Sequence, residues 1–319
     1  MDLLDIQGLT THFFTRVGVI KAVDNLGLRL RQGRVLGLVG ESGCGKTVTA
    51  LSILNLVPYP GKIVSGKILF EGRDLLALSA HEMRTIRGAR ISMIFQEPMT
   101  ALNPVFTVGN QIAEVLTAHQ DVSKQQAINA AVELLRSVGI PSPEKRVGEY
   151  PHQLSGGMRQ RVMIAMAIAC KPSLILADEP TTALDVTIQA HILDLLGRIQ
   201  AEMGMAMILV THDLGLIAER AHEVAVMYAG RIVEQTDTRE LFANPRHPYT
   251  RGLMASIPRP VEAGKTRLKT IPGTVPRLYD MPMGCAFSPR CEIKTAQCVV
   301  EPELVEVKQG HLVRCWEAR

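Results

Sequence analysis

The sequence predicts an α/β protein layered around a largely parallel sheet, with a helix-rich insertion. Three observations predict it. Val35–Val39 and the runs 174–177 and 206–210 are unbroken apolar stretches, the pattern of strands buried on both faces. Helical stretches at 47–56 and 187–203 alternate with them, and that alternation is what a βαβ-layered sheet requires. From about 108 to 170 helical periodicity takes over, punctuated by Pro141, Pro143 and Pro151. At 319 residues the chain has room for about two domains, or one large domain with an appendage.

Taken in order, residues 3–40 read as short strands, the last of them Val35–Val39 ending at Gly40. Residues 61–95 hold further strands, including Lys67-Ile68-Leu69-Phe70 and Ile91-Ser92-Met93-Ile94-Phe95. In the insertion, Gln111, Ile112, Val115 and Leu116 start one amphipathic helix, 130–138 lies in another, and 162–169 is an apolar third. Prolines crowd in after residue 243, and 258–284 reads as an irregular linker.

Composition narrows the class. Apolar residues at 46% and charged residues at 21% fit a globular chain and exclude wholesale disorder. Aromatics are only 4%, so the core is expected to be aliphatic. A formal charge of +4 is too mild and dispersed to argue for nucleic acid. Acids at Asp2 and Asp5 stand where a secretory signal needs bases, and no apolar run reaches membrane-spanning length. The expected location is the cytosol, with any membrane crossing left to partners.

The first motif is Gly40-Glu41-Ser42-Gly43-Cys44-Gly45-Lys46-Thr47, which fits G-x-x-x-x-G-K-S/T at every fixed position. A strand precedes it and a helix follows. Glycines let backbone N–H groups close around phosphate oxygens, and the helix N-terminus adds a positive dipole end. Lys46 brings charge to the β- and γ-phosphates, and Thr47 offers a hydroxyl to Mg²⁺. Cys44, at a variable position, reads as a small loop residue or as a thiol whose pKa Lys46 lowers. A second motif is Leu174-Ile175-Leu176-Ala177-Asp178-Glu179, an apolar strand ending in two carboxylates. Asp178 is placed to hold the metal through water, and Glu179 to polarise a water attacking the γ-phosphate.

Further motifs select the family. Leu154-Ser155-Gly156-Gly157-Met158-Arg159-Gln160 resembles the signature sequence of ATP-binding cassette (ABC) proteins. Gln96 resembles their Q-loop glutamine, Ala183-Leu184-Asp185 their D-loop, and His212 their switch histidine, all in the family's order over roughly residues 3–255. The resemblance implies a P-loop NTPase (RecA-like) core with an N-terminal antiparallel β subdomain, an inserted helical signature subdomain and a small Cys-containing C-terminal extension. It implies ATP hydrolysis with Mg²⁺, with Ser155, Gly156 and Gly157 closing over ATP held by a second subunit and Asp185 working across that interface. Gln96 is implied to contact Mg²⁺ and water, and His212 the γ-phosphate. The family stacks adenine on an N-terminal aromatic; Phe13 and Phe14 are the candidates, with Phe13 favoured.

Within the family, Phe95-Gln96-Glu97-Pro98-Met99-Thr100-Ala101-Leu102-Asn103-Pro104 and Asn244-Pro245-Arg246-His247-Pro248-Tyr249-Thr250 resemble the ATPase subunits of bacterial dipeptide, oligopeptide and nickel importers. Such subunits work as pairs, here expected to be unlike, at the cytoplasmic face of the cell membrane. They sit beneath two permeases fed by a substrate-binding protein. A nickel or other small-solute importer, a soluble non-transport cassette and a non-hydrolytic regulatory subunit are the alternatives. The expected division is a cassette over 1–255 and an extension over 256–319.

Four of the six cysteines fall in that extension, spaced Cys285-x5-Cys291-x6-Cys298-x16-Cys315, while Cys44 and Cys170 stand alone. This is neither a chain-wide disulfide framework nor the paired C-x2-C of zinc ribbons. Four thiolates suit Zn²⁺ or an iron–sulfur cluster, and free or paired thiols are the third reading. Resemblance to dipeptide-importer subunits, whose tails carry a similar Cys set, implies a 4Fe–4S cluster in a structural role.

Overall fold

Two long strands open the chain where short ones were expected. Alternation along them is broken by bulges, with register shifts at Ile6/Leu9 and Leu9/Thr11, and this disguised their length in the sequence. In chain order the strands are β1 (Asp2–Thr15), β2 (Gly18–Arg31), β3 (Val35–Val39), β4 (Gly61–Phe70), β5 (Arg73–Asp74), β6 (Ile91–Ile94), β7 (Leu174–Asp178), β8 (Ala206–Thr211), β9 (Glu223–Tyr228), β10 (Arg231–Asp237), β11 (Val305–Lys308) and β12 (His311–Val313). The computed structural model describes residues 2–182, 185–257, 270–276 and 278–318. They form two compact units, one from the segments up to 76 and from 209 onward, the other from 77–208.

In the first unit β2, β1, β4 and β5 make an antiparallel sheet in that order. Leu4, Ile6, Leu9, Leu26, Leu30 and Ile68 bury its inner face. A second sheet is centred on β3, whose five residues are all buried. It pairs in parallel with β9, and β9 pairs antiparallel with β10. The run Val224-Ala225-Val226-Met227-Tyr228, closed by Gly230, carried the strand signal for β9, although neither β9 nor β10 was expected.

The C-terminal extension is more ordered than the sequence suggested. β12 pairs with β10 and β11 with β12, so the tail lengthens this sheet. His311 and Glu234 meet there at 2.7 Å, both side chains essentially inaccessible to solvent. Glu234 also accepts the backbone N–H groups of Arg246 and His247, at 2.7 and 2.9 Å, so its buried carboxylate is well satisfied. Of the expected linker, 258–269 lies outside the described residues, and the described part of 270–284 carries no helix or strand.

In the second unit β6 and β7 pair in parallel. The insertion folds as helices Val108–His119, Lys124–Ser137 and Gly156–Ile168, packing Ala113, Leu116, Ala127 and Ala169 together. The third helix begins at Gly156, ahead of the apolar run at 162–169, because Ser155 caps it. A short helix, Ala80–Ile86, was not expected, though Ser79 and Glu82 spell its capping box. Among the described residues no helix is long and apolar enough to cross a membrane.

Candidate nucleotide-binding site

The phosphate loop leaves β3 and enters helix Lys46–Ile53 through Gly45. Gly45 has φ 106°, and a Cβ there would lie 2.1 Å from the Ala22 carbonyl oxygen, so the turn admits only glycine. No side chain caps the helix, so its positive dipole end faces the loop directly, the geometry that suits an anion. Lys46 is only 5% exposed, and its ammonium donates to the carbonyls of Gly40 (2.8 Å) and Glu41 (3.0 Å). Thr47 stands exposed at the first helical turn, Ser42 and Gly43 are exposed at the loop tip, and Cys44 is buried. Burial pushes the Cys44 thiol up despite Lys46 beside it, which favours a packed loop residue over an activated thiol.

The loop is also gripped from outside by residues the sequence did not single out. The N–H of Glu41 donates to the Tyr249 hydroxyl (2.9 Å). The Glu41 carboxylate accepts two hydrogen bonds from the Arg290 guanidinium, at 2.7 and 3.1 Å. Tyr249 lies in the 244–250 stretch that marked the importer branch, and Arg290 lies between two of the tail cysteines; neither position carried a chemical signal of its own.

His212 is exposed at the turn that follows β8. Asp213 fixes that turn by capping helix Leu214–Arg220, accepting the N–H groups of Gly215 (2.8 Å) and Leu216 (3.2 Å). Phe13 and Phe14 alternate across β1. Phe13 is half-buried with its ring over Gly61, whereas Phe14 is 50% exposed and meets His12 edge-on.

In the second unit β7 ends in Asp178, only 2% exposed. Glu179 follows with φ 44°, a left-handed conformation that costs a β-carbon residue about 1 kcal/mol or more. Its carboxylate accepts from Gln96 Nε2 (3.2 Å) and from the Thr182 hydroxyl (2.9 Å). Gln96 is exposed just beyond β6, so the structure brings the Q-loop glutamine and the proposed base together. Thr182 was not singled out from the sequence. Ser155 accepts the Met158 N–H (3.3 Å), Gly156 is exposed, and Gly157 lies under Ile188 of the helix Val186–Met203. Asp185 caps that helix through the Ile188 N–H (2.9 Å); Ala183 and Leu184 of the expected D-loop lie outside the described residues.

The four tail cysteines are free and line one small cavity of about 10 Å³, together with His247 and Trp316. Burial raises the thiols of Cys285, Cys291 and Cys315. An all-sulfur donor set at one cavity suits a thiophilic centre. Even so, among the described residues no three His, Cys, Asp or Glu side chains stand as a metal-holding group.

Comparison with known proteins agrees with this arrangement. Residues 23–182 match the ABC transporter family, and residues 233–298 match the oligopeptide/dipeptide transporter C-terminal region. The chain is 52% identical to a probable peptide ABC transporter ATP-binding protein of Sinorhizobium fredii, over 99% of this chain and 95% of that one. It is 49% identical to the dipeptide transport ATP-binding protein DppD of Escherichia coli, over 99% and 96%. Its fold resembles the dimeric ATP-binding cassette MJ0796 solved with ADP and Pi, at TM-score 0.67 and 27% identity over 74% of this chain and 99% of that one. The phosphate loop, the carboxylates at the end of β7 and these full-length likenesses together place the chain in the ABC transporter family, among its ATP-binding subunits.

Proposed function

We propose that this chain is the ATP-hydrolysing subunit of a bacterial importer that takes up dipeptides or oligopeptides. The observation that carries the hydrolytic part is the Glu179 carboxylate held by Gln96 and Thr182. The peptide part is supported by the C-terminal region match and by the relatives' peptide and dipeptide names. That C-terminal match also favours an importer over a soluble, non-transport cassette. Nickel or another small solute is the second reading, and assay of the cognate binding protein separates the two.

In this reading Gly40 to Thr47 wrap the phosphates of ATP, and Lys46 turns from its own loop carbonyls to the β- and γ-phosphates. Thr47, Gln96 and, through water, Asp178 would hold Mg²⁺, whose role is to neutralise phosphate charge. Glu179 takes the proton of the attacking water, and His212 orients that water at the γ-phosphate. Phe13 is the adenine platform, with Phe14 its competitor on the other face of β1. Ser155, Gly156, Gly157 and Asp185 serve the ATP of a second, paralogous subunit, and the dimeric state of the MJ0796 cassette supports that role. Two permeases and a binding protein complete the assembly at the cytoplasmic face of the membrane. The functional division in this proposal is a cassette over 1–255, with its helical insertion at about 108–170, and an extension over 256–319.

The test is Glu179→Gln in the assembled transporter with the partner site disabled. Hydrolysis should fall by on the order of 10²-fold or more while ATP binding survives. Hydrolysis at the wild-type rate would falsify the base assignment.

We also propose that Cys285, Cys291, Cys298 and Cys315 hold a thiolate-ligated centre, a 4Fe–4S cluster ahead of Zn²⁺. Their convergence on one cavity supports it. When bound, the centre would staple the tail, and ligation would hold the four sulfurs as thiolates despite the burial that raises three of them. Anaerobically purified full-length protein should carry iron and sulfide in equal amounts. Stoichiometric zinc would replace the cluster by the alternative metal, and four free thiols with neither metal would end the proposal.

A further inference from the structure

Outside the residues assigned to hydrolysis, the contact with the most direct chemical consequence joins the tail to the phosphate loop. Glu41 is the second residue of that loop, and an uncompensated carboxylate there would oppose an incoming triphosphate. Arg290 meets it with a two-pronged guanidinium–carboxylate pair, 2.7 and 3.1 Å, the geometry that fixes direction as well as charge.

Arg290 is itself held on every side. Its side chain is 3% exposed, and its Nε donates to the Pro272 carbonyl (2.9 Å). Its guanidinium lies 5.8 Å from the Tyr228 ring centre and 5.9 Å from that of Phe287. Tyr228, Tyr249 and Phe287 pack against one another with ring centres 4.7–5.5 Å apart, and Tyr249 is the residue whose hydroxyl accepts the Glu41 N–H. Arg290 also sits inside the cysteine-bearing segment. The N–H of Ser288 donates to the Cys285 carbonyl, that of Arg290 to the Phe287 carbonyl, and that of Cys285 to the Cys298 carbonyl. The backbone that places the thiols therefore places the guanidinium too.

We propose that Arg290 is a positioning residue for ATP: it neutralises and orients Glu41 so that the phosphate loop accepts the triphosphate, and thereby makes the cysteine-bearing tail part of the nucleotide site. The inference rests on reading that loop as the ATP site. It differs from a purely structural tail in what it predicts for charge. A staple would be needed whatever residue stands at 41, whereas a neutralising clamp is needed only while residue 41 is an anion.

The experiment uses the full chain in its transporter, with MgATP as the probe. Arg290→Met should raise KM for ATP by roughly tenfold while kcat changes by less than about threefold. Arg290→Lys, which keeps the charge and loses the fork, should fall between Met and wild type. Adding Glu41→Gln to Arg290→Met should bring KM back to within about threefold of wild type. An Arg290→Met KM equal to wild type overturns the inference. So does a double variant no better than Arg290→Met. If Arg290→Met does not fold, Arg290→Gln, likewise uncharged, with and without Glu41→Gln carries the same comparison. Wild-type protein that neither binds nor hydrolyses ATP would instead overturn the nucleotide reading beneath it.

Discussion

Two glycine-bearing helix starts in this protein look alike in sequence and differ in how they are held. The loop 40–47 opens helix Lys46–Ile53, and Ser155-Gly156-Gly157 opens helix Gly156–Ile168. The first is fixed from several directions: Gly45 sits against Ala22, Lys46 folds back onto two loop carbonyls, and Tyr249 and Arg290 hold Glu41. The second is bare. Ser155 and Gly156 are exposed, the Ser155 hydroxyl is engaged as a cap, and the nearest cation in sequence, Arg159, gives its Nε to the Pro151 carbonyl. A preorganised loop with its own buried ammonium can gather a triphosphate unaided. An exposed Ser155–Gly156 turn, with Gly157 packed beneath Ile188, offers only N–H groups and a hydroxyl, and is suited to an anion delivered by something else.

The largest expected effect separates the phosphate loop from the signature glycines. Lys46→Ala should cost the isolated full-length chain on the order of 10²-fold in ATP affinity, because a charge-assisted contact to the phosphates is removed. Gly156→Asp should leave that affinity within about twofold, yet lower ATP hydrolysis by the assembled transporter at least tenfold, since an anion would then face a phosphate. Nucleotide titration of the isolated chains and steady-state hydrolysis of the complexes measure the two arms. If Gly156→Asp weakened ATP binding by the isolated chain as much as Lys46→Ala does, the division between an own-ATP loop and a partner-ATP nest would be wrong.

How far the sequence could be read follows from the same contrast. β3, β7 and β8 were legible because burial on both faces writes them as unbroken apolar runs. Lys46, Asp178, Glu179 and Gln96 were legible because their chemistry depends on short-range order along the chain. β1 and β2 were read as fragments because bulges interrupt their alternation. Arg290 escaped notice, and Tyr249 was read only as part of the 244–250 stretch, for another reason. They reach Glu41 from positions more than two hundred residues away in sequence, and nothing local distinguishes a clamping arginine from a surface one. The tail strands β11 and β12 are short, and β11 carries charge at Glu306 and Lys308, so they gain strand character only by pairing, β12 onto β10 and β11 onto β12.

A smaller effect tests whether the phosphate loop is also held from below. At the start of β3, the strand that delivers the loop, the Val35 N–H donates to His222 Nδ1 (3.0 Å), and the His222 N–H donates to the Val35 carbonyl (2.9 Å). The imidazole must therefore keep a lone pair on Nδ1. Burial and then the neighbouring Arg34 hold His222 below the usual histidine range, outweighing the carboxylates of Glu223 and Asp237, which act the other way. As pH falls through the ordinary histidine value of 6.5, the unfolded chain takes up a proton that the folded chain still refuses. Stability is thus fully present above that value and declines as pH drops toward the depressed folded pKa. His222→Asn places an acceptor oxygen near the position of Nδ1 without a titrating group. Thermal unfolding between about pH 8 and about pH 5.5 should show the wild-type Tm falling more than the variant's, by about a degree or two, because the ring is partly solvated. Parallel Tm–pH curves would mean that His222 does not titrate with folding, and that the base of the loop is held by the strand hydrogen bonds alone.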